Sequence, residues 1–298
     1  MNRVGMIINP SSGRKMAAAK GEDIQRLLVE AGKIVEVHHT IENENLAVTA
    51  KNLASESDIV VVLGGDGTVN QAVNGLMKLE QPPVLALYPM GTVNDFATHL
   101  QIPKNIELFG KMILDPCFRT TDIGKAGERY FINVVAGGLL PELAHRVSPE
   151  AKTVLGKFAY YLEGIKEFPK QFFHPIPIEL EIKGSVEEKE ILFFLAANSP
   201  LVGGFRNLVP HARIDDGLLE LLVVEAVAFP DMANVFFNFM RMQREPDLAP
   251  VHGMNYYQVS EFTLWSGESM GIDVDGEAGG DLPLKVSVFP KALTIMVP

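Results

Sequence analysis

The stretch Gly64-Gly65-Asp66-Gly67-Thr68 joins two apolar patterns of different period. The residues before it, 59–63, read Ile-Val-Val-Val-Leu, an unbroken apolar run of strand length. The segment after it, 69–77, has its apolar residues at helical spacing. Because a strand that is apolar at every position fits burial on both faces, the run indicates a strand of a parallel sheet. The stretch is therefore predicted to be a glycine-rich loop that leads from a buried strand into a helix.

The composition of this loop favours phosphate binding over a plain turn. Glycines let the backbone approach a phosphate closely, and a helix N-terminus favours anions. The alternative is a tight turn without a ligand, which three glycines around one aspartate make the weaker interpretation. No Gly-Lys-Ser/Thr sequence follows, and Asn70 stands where a dinucleotide fingerprint would have its third glycine. The loop is therefore neither of those two phosphate-binding motifs.

Length, charge and cysteine content limit the class of protein. A chain of 298 residues can form two domains. The formal net charge of −11 argues against nucleic acid as a main partner, and any contact with an anionic membrane must be local. A single cysteine, Cys117, allows no internal disulfide and fits a reducing compartment. Because no apolar stretch approaches the length of a membrane span, we expect a soluble, cytoplasmic protein.

The first part of the chain alternates strands with helices. Apolar runs of strand length lie at 4–8, 34–37, 59–63 and 84–88, and a helix is predicted after each of them. This alternation predicts a doubly wound parallel sheet with helices on both faces. In such a sheet, ligands bind at the carboxyl ends of the strands. The loops at Gly13, Thr40, Gly65 and Gly91 are therefore expected to converge at one edge.

The pattern changes after about Asp122. The remaining apolar segments read mostly as strands, several of them alternating: 176–183, 189–197, 218–224, 258–265, 271–275 and 284–288. Two helical stretches interrupt them, at 153–168 and 231–244. Strands that follow one another without helices predict an antiparallel β-sandwich, with a cleft between the two domains. The helix at 231–244 is apolar almost all round, which fits full burial better than a lipid-facing surface.

Two acidic turns are candidates for chemistry. The segment Asp273-Val274-Asp275-Gly276-Glu277 places three carboxylates in five residues, and their repulsion would raise a pKa toward the range of a general base. A solvated acidic turn is the alternative, and the residues alone favour neither. Asp215-Asp216-Gly217 is typical of a β-turn before the strand at 218, which does not exclude a metal site.

Five short motifs in order resemble one family over nearly the full length. The loop is similar to the Gly-Gly-Asp-Gly-Thr loop of phosphofructokinases, NAD kinases and diacylglycerol kinases, all of which pass a γ-phosphate to a hydroxyl. The full set is Asn9-Pro10 with Gly13, 64–70, Gly91-Thr92-Val93-Asn94-Asp95-Phe96-Ala97, 215–219 and 275–277. Together they resemble the soluble bacterial lipid kinases of the diacylglycerol kinase catalytic-domain family, which are related to sphingosine kinases.

The resemblance implies a fold of class α/β plus β. An ATP-binding domain over 1–122, completed by residues near 290–298, would precede a sandwich over 123–289 that binds lipid and metal. It implies that Mg²⁺ is held by the Asp216 carboxylate and the main-chain carbonyls of Arg213 and Leu218. It assigns proton acceptance to Glu277, with Asp275 as a second catalytic residue. The nucleotide residues it implies are Asn9, Thr40, Gly64, Gly65, Asp66, Gly67, Thr68, Asn70 and Thr92.

The expected function is ATP-dependent transfer of the γ-phosphate to the hydroxyl of diacylglycerol or a related lipid, in phospholipid metabolism. ATP and Mg²⁺ are the expected cofactors. The expected partners are the lipid substrate and, transiently, the membrane surface, with no nucleic acid. Whether the chain forms a homodimer is left open. Two alternatives remain: an NAD or sugar kinase that shares the loop, and a non-catalytic nucleotide-binding regulator. The second is suggested by Gln71, since the family often has glutamate there.

Overall fold

A computed structural model of the chain describes residues 1–138, 174–204, 209–227 and 252–298. The helices predicted at 153–168 and 231–244 lie outside the described residues. Within the described ranges, no helix is long and apolar enough to cross a membrane. The described strands form one sheet of fifteen members, which runs through both halves of the chain.

The first half is the predicted parallel sheet. Its strands lie in the order β4-β3-β1-β2 and all run parallel. The strands are β1 Arg3–Ile8, β2 Ile34–His39, β3 Ile59–Gly64 and β4 Val84–Pro89. The helices are α1 Ser12–Lys15, α2 Ala17–Glu30, α3 Leu46–Ser55, α4 Asp66–Leu76, α5 Asp95–His99 and α6 Ile106–Leu114.

Burial explains why these residues form these elements. β3 is buried at all six positions, as expected for a strand covered by helices on both faces. α2 buries Ala17, Gly21, Ile24 and Leu28, a stripe with helical spacing. A Cβ at Gly21 would lie 2.4 Å from Ile8 Cδ1, so glycine lets α2 pack directly on β1. The apolar periods that predicted the elements are therefore the ones that build the core.

The second half is antiparallel, as the run of strands predicted. The predicted strand at 258–265 is in fact two strands that break at Ser260, because the residues before the break pair with 219–224 and the residues after it pair with 179–181 and with 284–287. Leu219, Leu221 and Leu264 belong to the apolar core of this half. The strands are β5 Cys117–Ala126, β6 Arg129–Phe131, β7 Val134–Gly138, β8 Ile176–Ile182, β9 Ser185–Ala197, β10 Leu219–Glu225, β11 Met254–Val259, β12 Glu261–Trp265, β13 Ile272–Val274 and β14 Glu277–Gly280.

One long strand, β15 Leu284–Val297, belongs to both halves. Its first part pairs antiparallel with β12, and its second part pairs parallel with β4 through Ile295 and Leu85. β5 follows β15 along its length, with a register shift between Phe289 and Leu293. The sequence predicted only 284–288 of this strand, since Pro290 interrupts the alternation. β5 passes residue 122 without a break, so the strands themselves do not mark a domain boundary there. The boundary stays a prediction.

The buried carboxylate of Asp122 stabilises the irregular part of this junction. One of its oxygens accepts the Lys291 N–H at 2.7 Å, and the other accepts the Gly217 N–H at 2.6 Å. Asp122 N in turn donates to Ile214 O at 2.6 Å. Backbone donors that leave a ladder need other partners, and this carboxylate provides them. The turn at 213–218 is thereby attached to the strand that joins the two halves.

Candidate active site

The glycine-rich loop connects β3 to α4 as the sequence predicts. β3 ends at Gly64, Gly65 precedes the helix, and α4 begins at Asp66. Gly65 is extended, with φ −91° and ψ −177°, and its helix end has no side-chain cap. The first N–H groups of a helix lack partners within that helix, so they are available to an anion. The loop therefore presents main-chain donors where parallel sheets bind ligands.

Close packing explains the glycines of this loop. A Cβ at Gly91 would lie 2.6 Å from the Gly65 Cα, so the loops after β3 and β4 touch through glycine. A Cβ at Gly64 would lie 2.5 Å from the Thr68 Cβ. Neither Gly64, Gly65 nor Gly67 has a positive φ. These positions therefore need glycine for space, and the left-handed conformation that glycine permits is not used.

Asp66 fixes the second loop onto the first. Its carboxylate accepts the Asn94 N–H at 2.8 Å and the Asp95 N–H at 3.0 Å. Asn94 is left-handed, with φ 54°, and its side-chain amide bonds both the N–H and the C=O of Gly91. Partial burial raises the pKa of Asp66. Through these contacts, Asp66 holds the loop after β4 against the loop after β3.

Other predicted nucleotide residues lie at the same edge. Asn9, after β1, donates from Nδ2 to Thr68 Oγ1 at 3.0 Å. Thr40 follows β2, and its N–H donates to Ile8 O at 2.8 Å. Thr92 is exposed in the loop after β4. The structure thus brings the ends of four parallel strands together, as the alternation of strands and helices predicted.

Glu277 reaches this edge from the other half of the chain. A Cβ at Gly67 would lie 2.8 Å from Glu277 Oε1, so the carboxylate lies against this glycine of the glycine-rich loop. Glu277 is the first residue of β14, and Gly276 before it has φ 89°. With the described residues, its carboxylate makes no hydrogen bond. Its oxygens therefore lie beside the loop without a described hydrogen-bond donor.

Asp275 is held quite differently. Its carboxylate accepts four N–H groups, from Asn70 Nδ2 at 2.9 Å and from the backbone of Ile132, Asn133 and Val134 at 2.8, 3.0 and 2.8 Å. The backbone is left-handed here, with φ 52°. Burial raises the pKa of Asp275 to about 6, against the opposing effect of these four donors. Its lone pairs are occupied by protein donors, which suits a structural carboxylate.

Asn70 faces the protein rather than the open edge of the sheet. It is fully buried, and its Nδ2 donates to Asp275 Oδ2 at 2.9 Å and to Tyr130 O at 3.0 Å. Its Oδ1 accepts from Asn74 Nδ2 at 3.2 Å. Both amide hydrogens are therefore used. The structure separates Asn70 from the other predicted nucleotide residues.

Two residues of the site had no role in the sequence analysis. Asp95 lies in the motif 91–97; its buried carboxylate accepts the Gly204 N–H at 2.9 and 3.2 Å. Burial, and then the nearby Asp66 carboxylate, raise the pKa of Asp95 to about 7. Arg129 donates to Ala278 O, next to Glu277. The acid in the motif was the available signal for Asp95, whereas the sequence around Arg129 has none.

The residues predicted for magnesium form a turn. Asp216 is exposed, and its Oδ1 accepts the Leu218 N–H at 3.0 Å, which is the predicted β-turn chemistry. The guanidinium of Arg213 lies 3.8 Å from Asp215. In the part of the chain that the structure describes, no three His, Cys, Asp or Glu side chains are grouped to hold a metal ion. A site of one carboxylate and two carbonyls is a different arrangement, and it stays a prediction.

Fold and site together define a class of protein. A parallel sheet with a glycine-rich loop at its carboxyl edge, and a carboxylate from a β-sandwich resting on that loop, are the parts of a nucleotide-dependent phosphotransferase. Two family models match the chain. Residues 3–126 match the diacylglycerol kinase catalytic domain, and residues 133–297 match the YegS C-terminal NAD kinase beta sandwich-like domain.

Individual relatives point the same way. A diacylglycerol kinase of Bacillus subtilis (strain 168) is 33% identical over 285 residues, covering 95% of this chain and 92% of the relative. One of Staphylococcus carnosus (strain TM300) is 31% identical over 297 residues, covering 99% and 95%. A solved diacylglycerol kinase from Bacillus anthracis str. Sterne superposes with a TM-score of 0.79 at 27% identity, covering 100% and 97%. The chain belongs to the diacylglycerol kinase family of ATP-dependent lipid kinases.

Proposed function

We propose that this lipid kinase transfers the γ-phosphate of ATP to the free hydroxyl of diacylglycerol. The observation that carries the proposal is the contact between Glu277 Oε1 and the glycine of the phosphate-binding loop. A base must lie within hydrogen-bond reach of the hydroxyl that attacks the phosphate. The names of the relatives support diacylglycerol as the acceptor. The sandwich match to an NAD kinase-like domain is consistent with an NAD kinase without favouring it.

The proposed reaction needs positioning and one proton transfer. The loop N–H groups would hold the phosphates, because the transition state spreads negative charge over the phosphoryl oxygens. The lipid hydroxyl would lie between Glu277 and the γ-phosphorus. As its oxygen bonds to that phosphorus, its proton passes to Glu277 Oε1 and the bond to the β-phosphate oxygen breaks. ADP and a phosphorylated lipid are the products.

The two acidic residues of the 273–277 turn then have separate roles. Asp275 accepts four N–H groups, so protonating it would disrupt several bonds of the fold. Glu277 has a longer side chain and lies on the loop itself. We therefore assign the base to Glu277 and a supporting role to Asp275.

Magnesium is part of the proposal, at the turn that contains Arg213, Asp216 and Leu218. The donor set fits the ion, since Mg²⁺ takes carboxylate and carbonyl oxygens. Asp216 would contribute its carboxylate, and the other two residues their main-chain oxygens. When bound, the ion would neutralise charge and stiffen the turn. Asp122 bonds Gly217 within this turn, so such stiffening would reach the strand β15 that the two halves share.

The setting we propose is the cytoplasm, with transient contact at the membrane surface where diacylglycerol resides. The net charge of −11 makes general attraction to anionic lipid unfavourable, so the contact would be confined to part of the surface. Activity should then depend on how the lipid is presented.

The test is transfer of labelled phosphate from ATP to a panel of acceptors in mixed micelles. The panel contains diacylglycerol, sphingosine, NAD and a hexose, with Glu277→Gln as the control enzyme. We expect label in phosphatidic acid with the wild type and almost none with the variant. Label only in NAD or the hexose would overturn the lipid assignment. ATP binding without transfer to any acceptor would indicate the regulator that Gln71 suggested.

A further inference from the structure

The side chains of Asn70 and Asp275 meet between the two halves of the chain. Asn70 lies in α4, one turn after the helix begins at Asp66, and Asp275 lies two residues before Glu277. Their hydrogen bond of 2.9 Å joins residues that are 205 positions apart. Asn70 is fully buried, so water does not compete with its bonds.

Asp275 fixes the turn on its other side as well. Its carboxylate accepts the N–H groups of Ile132, Asn133 and Val134, and its own N–H donates to Val134 O at 2.9 Å. The start of β7 and the turn before Glu277 therefore move as one body. The contact with Asn70 attaches that body to α4.

These contacts form a closed circuit of residues that includes Glu277, the proposed base. Gly67 and Asn70 belong to the same helix, Asn70 bonds Asp275, and Glu277 lies back over Gly67. Within this circuit, the hydrogen bond from Asn70 to Asp275 is the direct link between the helix and the turn. The distance between the phosphate-binding loop and Glu277 therefore depends on that bond.

We propose that Asn70 and Asp275 are positioning residues, which hold Glu277 over the loop so that hydroxyl, base and phosphate are aligned. The role of Glu277 as base rests on the proposed function, whereas the circuit itself rests on the contacts. Asn70 then acts on the proton-transfer step rather than on the nucleotide. Misplacement of a catalytic group by about 1 Å can cost on the order of a hundredfold in rate.

Asn74 is a matched control for this role. It lies one turn further along α4 and bonds the backbone of Tyr130 through both amide atoms, at 2.8 and 2.9 Å. Its contacts attach the same helix to the same strand, β6, without touching Asp275. Asn74 Nδ2 also donates to Asn70 Oδ1 at 3.2 Å, so a variant at Asn74 measures the loss of these attachments while Asn70 and Asp275 both keep the groups that bond each other.

The experiment compares Asn70→Ala, Asn74→Ala, Asp275→Asn and the double variant Asn70→Ala/Asp275→Asn. We measure kcat, ATP affinity, the unfolding midpoint, and hydrogen exchange of the amides at 275–277. We expect Asn70→Ala to lower kcat about 10- to 100-fold, with ATP affinity within about twofold of the wild type. Asn74→Ala should lower the unfolding midpoint by about as much as Asn70→Ala does, and it should keep kcat within about twofold of the wild type. Exchange at 275–277 should rise only in the variants at Asn70 and Asp275.

Three outcomes would overturn the proposal. Equal losses of kcat in Asn70→Ala and Asn74→Ala would make the bond a structural attachment only. A weaker ATP affinity with unchanged kcat in Asn70→Ala would make Asn70 a nucleotide ligand. Additive losses in the double variant would show that Asp275 acts independently, since residues acting through one bond are non-additive.

Failure of the proposed function has a different signature. A wild type that phosphorylates no lipid would remove the acceptor assignment and leave the circuit testable by hydrogen exchange. Unchanged exchange at 275–277 in Asn70→Ala would then reject the circuit by itself.

Discussion

The two acidic turns of this chain look alike in sequence and are held by different means. In the turn around Asp216, the carboxylate accepts one local N–H, from Leu218 at 3.0 Å, and the side chain is exposed. In the turn around Asp275, the carboxylate accepts four N–H groups from distant parts of the chain. Both turns use aspartate followed by glycine. Long-range donors, rather than turn composition, therefore decide which aspartate is bonded to distant parts of the chain.

The largest expected effect separates Glu277 from both aspartates. Glu277→Gln keeps the shape of the side chain and removes the base, so kcat should fall about a hundred- to ten-thousandfold. ATP affinity and the unfolding midpoint should stay close to wild type, because Glu277 makes no hydrogen bond with the described residues. Phosphate transfer and calorimetry measure both. Near-normal turnover, together with loss of turnover in Asp275→Asn, would reverse the two roles.

The next effect compares the turns directly by stability. Asp275→Ala strands the N–H groups of Ile132, Asn133 and Val134, so it should cost about 3 kcal/mol of unfolding free energy. Asp216→Ala loses one exposed local bond and should cost less than about 0.5 kcal/mol. Denaturant unfolding in the presence of a chelator measures the pair. Similar losses in the two variants would remove the distinction between long-range and local support.

A smaller effect concerns the space that the second turn needs. In Gly67→Ala, the new Cβ would lie 2.8 Å from Glu277 Oε1, so the carboxylate must shift. We expect kcat to fall about tenfold with little change in stability. Gly267→Ala is the control, since its Cβ meets no atom within 4 Å. Equal kinetics in the two variants would place the working position of Glu277 away from the loop.

A pH effect tests another carboxylate with long-range support, Asp95. Its pKa of about 7 lies above the ordinary 3.8, so at pH values between these two the folded state holds a proton that the unfolded state has lost. Stability from this group is therefore greatest at low pH and falls as pH rises through about 7. Between pH 5 and pH 8, the unfolding midpoint of the wild type should fall relative to that of Asp95→Asn. A parallel course of the two midpoints would contradict the raised pKa.

The smallest effect tests the local turn for metal. If Asp216 binds Mg²⁺, saturating magnesium should raise the unfolding midpoint of the wild type, at a gain of about 1–3 kcal/mol. Asp216→Ala should lose that gain and otherwise behave like the wild type. Calorimetry with Mg²⁺, and with K⁺ at equal ionic strength, separates binding from screening. The same magnesium response in both proteins would leave this segment as a turn only.

Features set by neighbouring residues were predictable from the sequence. The run 59–63 and the glycines after it predicted strand, loop and helix, because period and loop chemistry are local. Parallel strands also bring their carboxyl ends together, so the convergence of the loops after β1, β2, β3 and β4 followed from the fold class. The loop was therefore predictable without knowledge of distant contacts.

Features set by distant residues were not predictable. Asn70 lies next to the loop in sequence, yet its position on α4 turns its side chain toward Asp275 and Tyr130. The full length of β15 was not predicted because Pro290 breaks the apolar pattern. In the structure, the strand continues beyond Pro290 because Asp122 accepts the Lys291 N–H and β5 pairs with β15 on both sides of the proline. The sequence near Asn70 does not indicate its partner Asp275, and the sequence near Lys291 does not indicate its partner Asp122.

The strand β15 also has a consequence for the order in which the chain folds. β4 pairs with β3 on one side and with the second part of β15 on the other, and β15 follows the whole sandwich in the chain. On the ribosome, the edge of β4 therefore stays open while the sandwich is being synthesised. Domains commonly fold in sequence as they emerge during synthesis. Here the parallel part of the sheet can be completed only after the antiparallel half of the chain has been made.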